Sequence, residues 1–164
     1  MHTRKAVASD LPAILAIYKN AIDSLNSQGI AQWDEIYPDE AIITEDVENG
    51  FSYVRIVDEQ IASVFAVNQS YDPEYESGNW RYPEASFAVI HRLCVSPSFQ
   101  HRGIGHRTML AAEAVIKSMQ IDTVRLDAFS QNPAALKMYG RLGYQEAGTV
   151  YFRKGRFVLL EKKL

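Results

Sequence analysis

The stretch Gln100-His101-Arg102-Gly103-Ile104-Gly105 decides how this chain is read. A run of strand character, Phe87 to Val95, leads into it, and helical periodicity from about Ile104 to Met119 leads out. Two glycines one residue apart let the backbone turn several N–H groups toward one point, with a helix N-terminus behind them. Both features favour a bound anionic phosphate. The glycines also reach positive φ cheaply and leave no Cβ in the path of a phosphate. The stretch therefore predicts a pyrophosphate-binding loop.

Two common phosphate loops fail against the letters. A Walker loop ends in Gly-Lys-Ser/Thr, whereas Gly105 is followed by His106-Arg107-Thr108. A dinucleotide fingerprint needs a third glycine where Thr108 stands, and the repeated strand–helix units it belongs to are missing.

The rest of the chain bounds the classes. Its 164 residues suffice for one domain with a real core. The net charge of −3 lacks the basic excess of a general nucleic-acid surface and is compatible with a cationic amine substrate. The single cysteine, Cys94, excludes an intramolecular disulfide and fits a reducing compartment. No apolar run approaches a membrane span, and the first residues lack a secretory pattern, so a cytoplasmic protein without membrane partners is expected. His2, His101 and His106 show no metal-ligand spacing, so no metal is expected.

Along the chain, His2 to Ala8 reads as a short strand, and Ser9-Asp10 offers an N-cap to a helix from Leu11 to Leu25. An irregular aromatic segment, Ile30 to Pro38, precedes a second helix from Asp39 to Glu48. Phe51 to Val57 and Gln60 to Asn68 read as a hairpin across Asp58-Glu59. Ser70 to Ala85, with Pro73, Gly78 and Pro83, reads as a long loop of the kind that often carries function. After the glycine loop and its helix come a strand from Thr123 to Phe129 and a helix begun by Asn132-Pro133 and ended by Gly143. Strands Tyr144 to Arg153 and Arg156 to Lys162 close the chain. There is no internal repeat and no linker.

The remaining pattern, Gln/Arg-x-x-Gly-x-Gly/Ala at Gln100 to Gly105, resembles the acetyl-CoA loop of the GNAT superfamily of N-acetyltransferases. A second marker, Asn132-x-x-Ala135-x-x-x-Tyr139-x-x-Leu142-Gly143-Tyr144, resembles that family's C-terminal motif. The element order is similar to the family's over nearly the whole chain. The resemblance implies a single GNAT domain over residues 1–164 with an α+β (α/β/α) architecture. It has a mixed, mostly antiparallel seven-stranded sheet with about four helices, and parallel, splayed fourth and fifth strands. It also implies acetyl-CoA as cosubstrate. Main chain near Leu93, Cys94 and Val95 would meet the pantetheine arm. Gln100, His101, Arg102, Gly103, Ile104 and Gly105 would meet the pyrophosphate, and Asn132, Ala135 and Tyr139 would flank the arm.

Acetyl transfer to an amine sets three requirements. The amine must shed a proton, because an alkylammonium of pKa about 10.4 is not a nucleophile. The oxyanion needs a donor, for which the resemblance offers a backbone N–H such as that of Val95. The departing thiolate benefits from a proton, and Tyr139 falls on the family's general-acid position; its other reading is a core aromatic sharing a helix face with Leu136 and Leu142. His91, four residues before Val95, matches one of two strand histidines in one branch of the family and suits proton relay. The other position holds Val89, as does the place where another branch carries a glutamate. Asp127 is a candidate partner for His91, or for Arg92 in a buried ion pair. Cys94 reads as a packed strand residue, and Arg102 and Arg107 as either phosphate contacts or exposed arginines.

Trp33, Asp34, Glu35, Tyr37, Tyr75 and Trp80 suit a small cationic or aromatic amine. Two alternatives stay open: a non-catalytic acyl-CoA sensor, and a protein lysine or N-terminal acetyltransferase. The acyl length and the assembly state, monomer or homodimer, are also open.

Overall fold

The structure is a computed structural model that describes residues 1–164. Its elements are β1 (His2–Lys5), α1 (Leu11–Ser27), α2 (Glu40–Glu48), β2 (Ser52–Val57), β3 (Gln60–Asn68), β4 (Phe87–Val95), α3 (Ile104–Ser118), β5 (Thr123–Phe129), α4 (Pro133–Arg141), β6 (Gln145–Phe152) and β7 (Gly155–Lys163). The seven strands form one open, mixed sheet in the order β1-β2-β3-β4-β5-β7-β6. β4 and β5 run parallel, with Phe87 opposite Thr123 and Val89 opposite Arg125. No helix is long and apolar enough to cross a membrane.

The chain divides into two compact units. The first comprises Met1–Val67 and His91–Ala112, the second Asn68–Ile90 and Glu113–Leu164. In the first unit, Ile14, Ile17, Tyr18 and Ala21 recur on one face of α1 and pack with Ile43, Val47, Val54, Val64 and Cys94. Pro12 sits in the first turn of α1, where its missing N–H costs nothing. Gln28 and Ile30 both donate to the Leu25 carbonyl around Gly29, which ends that helix at φ +75°. Asp39 caps α2 by accepting from the Ile42 N–H at 2.9 Å. The β2–β3 turn places Asp58 and Glu59 at φ +49° and +63°, both left-handed as a two-residue hairpin turn requires.

In the second unit, β5 pairs with β7 from Thr123 opposite Lys163 to Phe129 opposite Phe157, and β6 pairs with β7 in turn. The β6–β7 ladder slips between Glu146 and Thr149, where Gly148 takes φ +118°.

Two expectations are corrected, and one alternative left open is decided. Asp10 occupies the N-cap position of α1, but its side chain makes no bond to that helix: the residue ends a 3₁₀ turn, Ala8–Asp10, and its carboxylate reaches back to the Val7 N–H and the Arg4 guanidinium. The expected loop from Ser70 to Ala85 contains a 3₁₀ turn, Pro73–Ser77, and the ring of Tyr75 is buried within it. Arg92 is paired with Asp46 of α2, not with Asp127.

Candidate active site

In the first unit, β4 ends in a 3₁₀ turn, Pro97–Phe99, anchored by the Ser96 N–H donating to the Ala62 carbonyl at 2.9 Å. Phe99 is buried against Ala62 and Ile104, with Val95 alongside. That apolar plug fixes where the following loop starts. Gln100 is extended, its side-chain amide near the Val95 carbonyl at 3.5 Å, and His101 and Gly103 then take φ +61° and +71°. The Arg107 N–H donates to the Gly103 carbonyl at 3.2 Å and opens α3. By helix geometry the N–H groups of Ile104, Gly105 and His106 have no carbonyl of their own helix to reach. No heavy atom lies within 4 Å of where a Cβ on Gly103 would stand. An open left-handed residue followed by outward donors at a fifteen-residue helix fits a pyrophosphate. Gly105 lies inside α3, so the positive-φ argument applies to Gly103 alone.

Thr108, at the place of the absent third glycine, is buried. Its hydroxyl donates to the Ile104 carbonyl at 2.8 Å and lies 2.7 Å from the Ser63 hydroxyl of β3. A hydroxyl pair therefore seats α3 on β3.

Further back along β4, Val89 is wholly buried, and His91, Leu93 and Val95 are partly buried. Cys94 is buried in the core, and burial pushes its thiol up to about 12, which leaves it an inert packed thiol. Arg92 has φ +51° inside the strand. Its Nε and Nη2 donate to the two Asp46 oxygens at 2.9 and 2.7 Å, and its Nη1 donates to the Tyr37 hydroxyl at 2.9 Å. The Tyr18 hydroxyl donates to the Arg92 carbonyl at 2.6 Å. Burial raises the Asp46 carboxyl above its ordinary range, even with Arg92 pulling the other way.

In the second unit, the Asn132 side-chain oxygen accepts from the Ala135 N–H at 3.1 Å and caps α4. Tyr139 follows two turns later; its ring stands edge-on to Tyr144 at 5.9 Å and is 9% exposed. Burial, then the nearby Asp127 charge, raise this phenol well above its usual range. It therefore holds its proton at neutral pH. Asp127 itself accepts from the Tyr75 hydroxyl at 2.6 Å.

The six residues expected around the amine fall in different surroundings. In the first unit, Trp33 is buried and meets Tyr18 edge-on at 5.8 Å. Asp34 folds its own loop, accepting from the N–H groups of Ile36 and Tyr37 at 3.0 and 3.2 Å. Glu35 and Tyr37 are exposed. In the second unit, Tyr75 is 2% exposed, and Trp80 donates its indole N–H to the Tyr75 carbonyl at 2.8 Å. The Trp80 ring stacks on Arg125, whose guanidinium carbon lies 4.2 Å from the ring centroid. No group of three or more His, Cys, Asp or Glu residues is arranged to hold a metal ion.

The sequence reading missed Tyr18, Asp46, Ser63 and Thr108. Asp46 did carry a signal, because it lies between Ile43 and Val47 on the apolar stripe of α2. A charge there must find a buried partner.

Residues 18–144 match the model of the Acetyltransferase (GNAT) family. The chain is 28% identical over 146 residues to the Uncharacterized N-acetyltransferase YesJ of Bacillus subtilis (strain 168), covering 87% of this chain and 81% of that protein. A GNAT-family acetyltransferase structure from Streptococcus agalactiae 2603 matches with a TM-score of 0.88 at 24% identity, over 99% of this chain and 95% of that one. The ribosomal-protein-alanine N-acetyltransferase from Brucella melitensis matches with a TM-score of 0.75 at 20% identity, over 100% of both chains. These two structural likenesses speak to the fold.

Proposed function

Because the chain belongs to the GNAT acetyltransferase family, we propose that it transfers the acetyl group of acetyl-CoA directly to a primary amine of a small molecule. The observation that carries this reading is Tyr139, a buried phenol on a capped helix whose proton is held by burial and by the charge of Asp127.

Acetyl-CoA supplies an acyl carbon already activated as a thioester, so that an N–C bond forms as the C–S bond breaks. Gly103 and the first-turn N–H groups of Ile104, Gly105 and His106 bind and orient the pyrophosphate, with Gln100, His101 and Arg102 beside them. The main chain of Leu93, Cys94 and Val95 pairs with the pantetheine arm as an added strand would. Asn132 and Ala135 serve by starting α4 and so placing Tyr139. The Tyr139 hydroxyl gives its proton to the departing sulfur. His91 takes the proton that the attacking ammonium must lose, through a water.

The small-molecule preference is supported by the 70–85 segment, which is fastened at a few points although most of its residues are exposed. Tyr75 is buried in it, and the N–H groups of Arg81 and Tyr82 donate to Glu161 at 2.8 and 3.4 Å. Of the residues read as amine contacts in the aromatic segment, Glu35 and Tyr37 are the exposed ones, and the Tyr37 hydroxyl also accepts from Arg92.

The test is thiol release from acetyl-CoA over a panel of polyamines, aromatic amines, amino acids, aminoglycosides and short peptides, with Tyr139→Phe in parallel. The expected result is release that depends on a small amine and slows about 100-fold in Tyr139→Phe, within the usual span for losing a general acid. Release with peptides alone would overturn the small-molecule reading. An undiminished rate in Tyr139→Phe would remove that residue from the acid role.

A further inference from the structure

A strand repeats one extended conformation, and β4 departs from it at Arg92. The φ of +51° there is in the left-handed region, which a side chain with a Cβ seldom enters and keeps only when its surroundings hold it. Two neighbouring helices do the holding. From α1, the Tyr18 hydroxyl donates to the Arg92 carbonyl at 2.6 Å. From α2, Asp46 accepts from Nε and Nη2 of the same residue at 2.9 and 2.7 Å. Tyr18 and Asp46 are themselves 4% and 7% exposed, and Tyr18 packs with Ile14, Ile43 and Val47. The clamp thus stands chiefly on packed helices, with Tyr37 of the loop between them accepting one further bond from the guanidinium at 2.9 Å.

The peptide unit transmits this grip to the next residue. The carbonyl of Arg92 and the N–H of Leu93 belong to one planar trans amide and point in opposite directions. A carbonyl held on Tyr18 therefore turns the Leu93 N–H away from α1. We propose that Tyr18 and Asp46 are positioning residues that lock the Arg92–Leu93 peptide, so that the Leu93 N–H is presented to the pantetheine arm of acetyl-CoA. The proposal rests on the acetyl-CoA reading above. It assigns a role in ligand binding to two residues of α1 and α2, neither of which touches the ligand. It also accounts for a buried ion pair at a position where an apolar pair would pack α2 on β4 equally well.

The purified full chain tests this by calorimetric binding of two probes. One is CoA; the other is 3′-phospho-ADP, its nucleotide half without the arm. Tyr18→Phe keeps the ring and its packing and deletes only the donor. CoA affinity is expected to fall about tenfold, in line with one lost hydrogen bond, while 3′-phospho-ADP affinity changes less than twofold. Asp46→Asn is expected to shift the same ratio in the same direction, and it replaces Tyr18→Phe should that variant not fold. Wild-type CoA affinity in Tyr18→Phe, or equal weakening of both probes, would overturn the proposal and leave the acetyltransferase reading intact. A wild-type chain that binds neither probe would overturn both.

Discussion

Arg4 donates through Nη1 and Nη2 to the two oxygens of Asp10 at 2.7 and 2.9 Å, and the same carboxylate accepts from the Val7 N–H at 2.8 Å. These bonds, that to Arg4 first, hold the Asp10 carboxyl below its ordinary range. The sign follows from linkage: a carboxyl lowered in the folded state stabilises the fold above its unfolded pKa of about 3.9. That contribution is lost as pH falls through the lower folded value. Asp10→Asn is therefore expected to unfold at a lower temperature than wild type at pH 7, with the gap closing below about pH 4. A gap that stays constant down to pH 2 would show that the charge is not what matters. Both residues were visible in the sequence, where Ser9-Asp10 before a periodic run reads as an α-helix cap. The direction in which the carboxylate turns was not, because a 3₁₀ turn and an α-helix start share the same cap residues.

The glycine loop and the α3 N-terminus act as one element, and Gly103 is where the element is sensitive. Its φ of +71° strains any residue with a Cβ, while the absence of heavy atoms within 4 Å means that no clash adds to the strain. Gly103→Ala is expected to cost about 1–2 kcal/mol in thermal or denaturant unfolding. It should also weaken CoA binding by more than that cost explains, since the new methyl would stand where the proposed pyrophosphate site lies. CoA affinity equal to wild type in a folded Gly103→Ala protein would count against the loop as the phosphate site. Most elements were legible at this scale. Phe87–Val95 and Thr123–Phe129 match their sequence-based bounds, and Asn132 and Gly143 punctuate α4 as their letters predict. The 3₁₀ turn inside 70–85 was not, because its order comes from a buried Tyr75 and from main-chain bonds to Glu161, partners 80 residues further along in the case of Arg81.

At the scale of the whole molecule, the second unit depends on a buried charge pair. Arg125 of β5 donates to Glu161 of β7 at 3.0 Å, with side chains 5% and 1% exposed, and its guanidinium lies over the rings of Phe87 and Trp80. Glu161→Gln would leave that guanidinium without its counter-charge, a change expected to cost about 3–5 kcal/mol and to lower the melting temperature by roughly 10 °C. The double variant Arg125→Met, Glu161→Leu is expected to recover part of that loss; a double variant as unstable as the single one would show that the charges, or the bonds Glu161 accepts from the Arg81 and Tyr82 N–H groups, are required. The sequence by itself determined the strand and helix order, the loop with its left-handed glycine, the capped helix that carries Tyr139, and the family. The elements and the loop follow from local periodicity, turn chemistry and short spacings, and the family from the resemblance of two short motifs. Only the tertiary structure decided that Arg92 belongs to Asp46 and Tyr18, that Trp33 packs as core, and that Trp80 and Glu161 fasten the 70–85 segment. The physical reason is separation along the chain. Tyr18 and Arg92 lie 74 residues apart, and Arg125 and Glu161 lie 36 apart. Several charged or aromatic residues could satisfy each one by type, and only the packed sheet and helices select which of them comes within hydrogen-bonding reach.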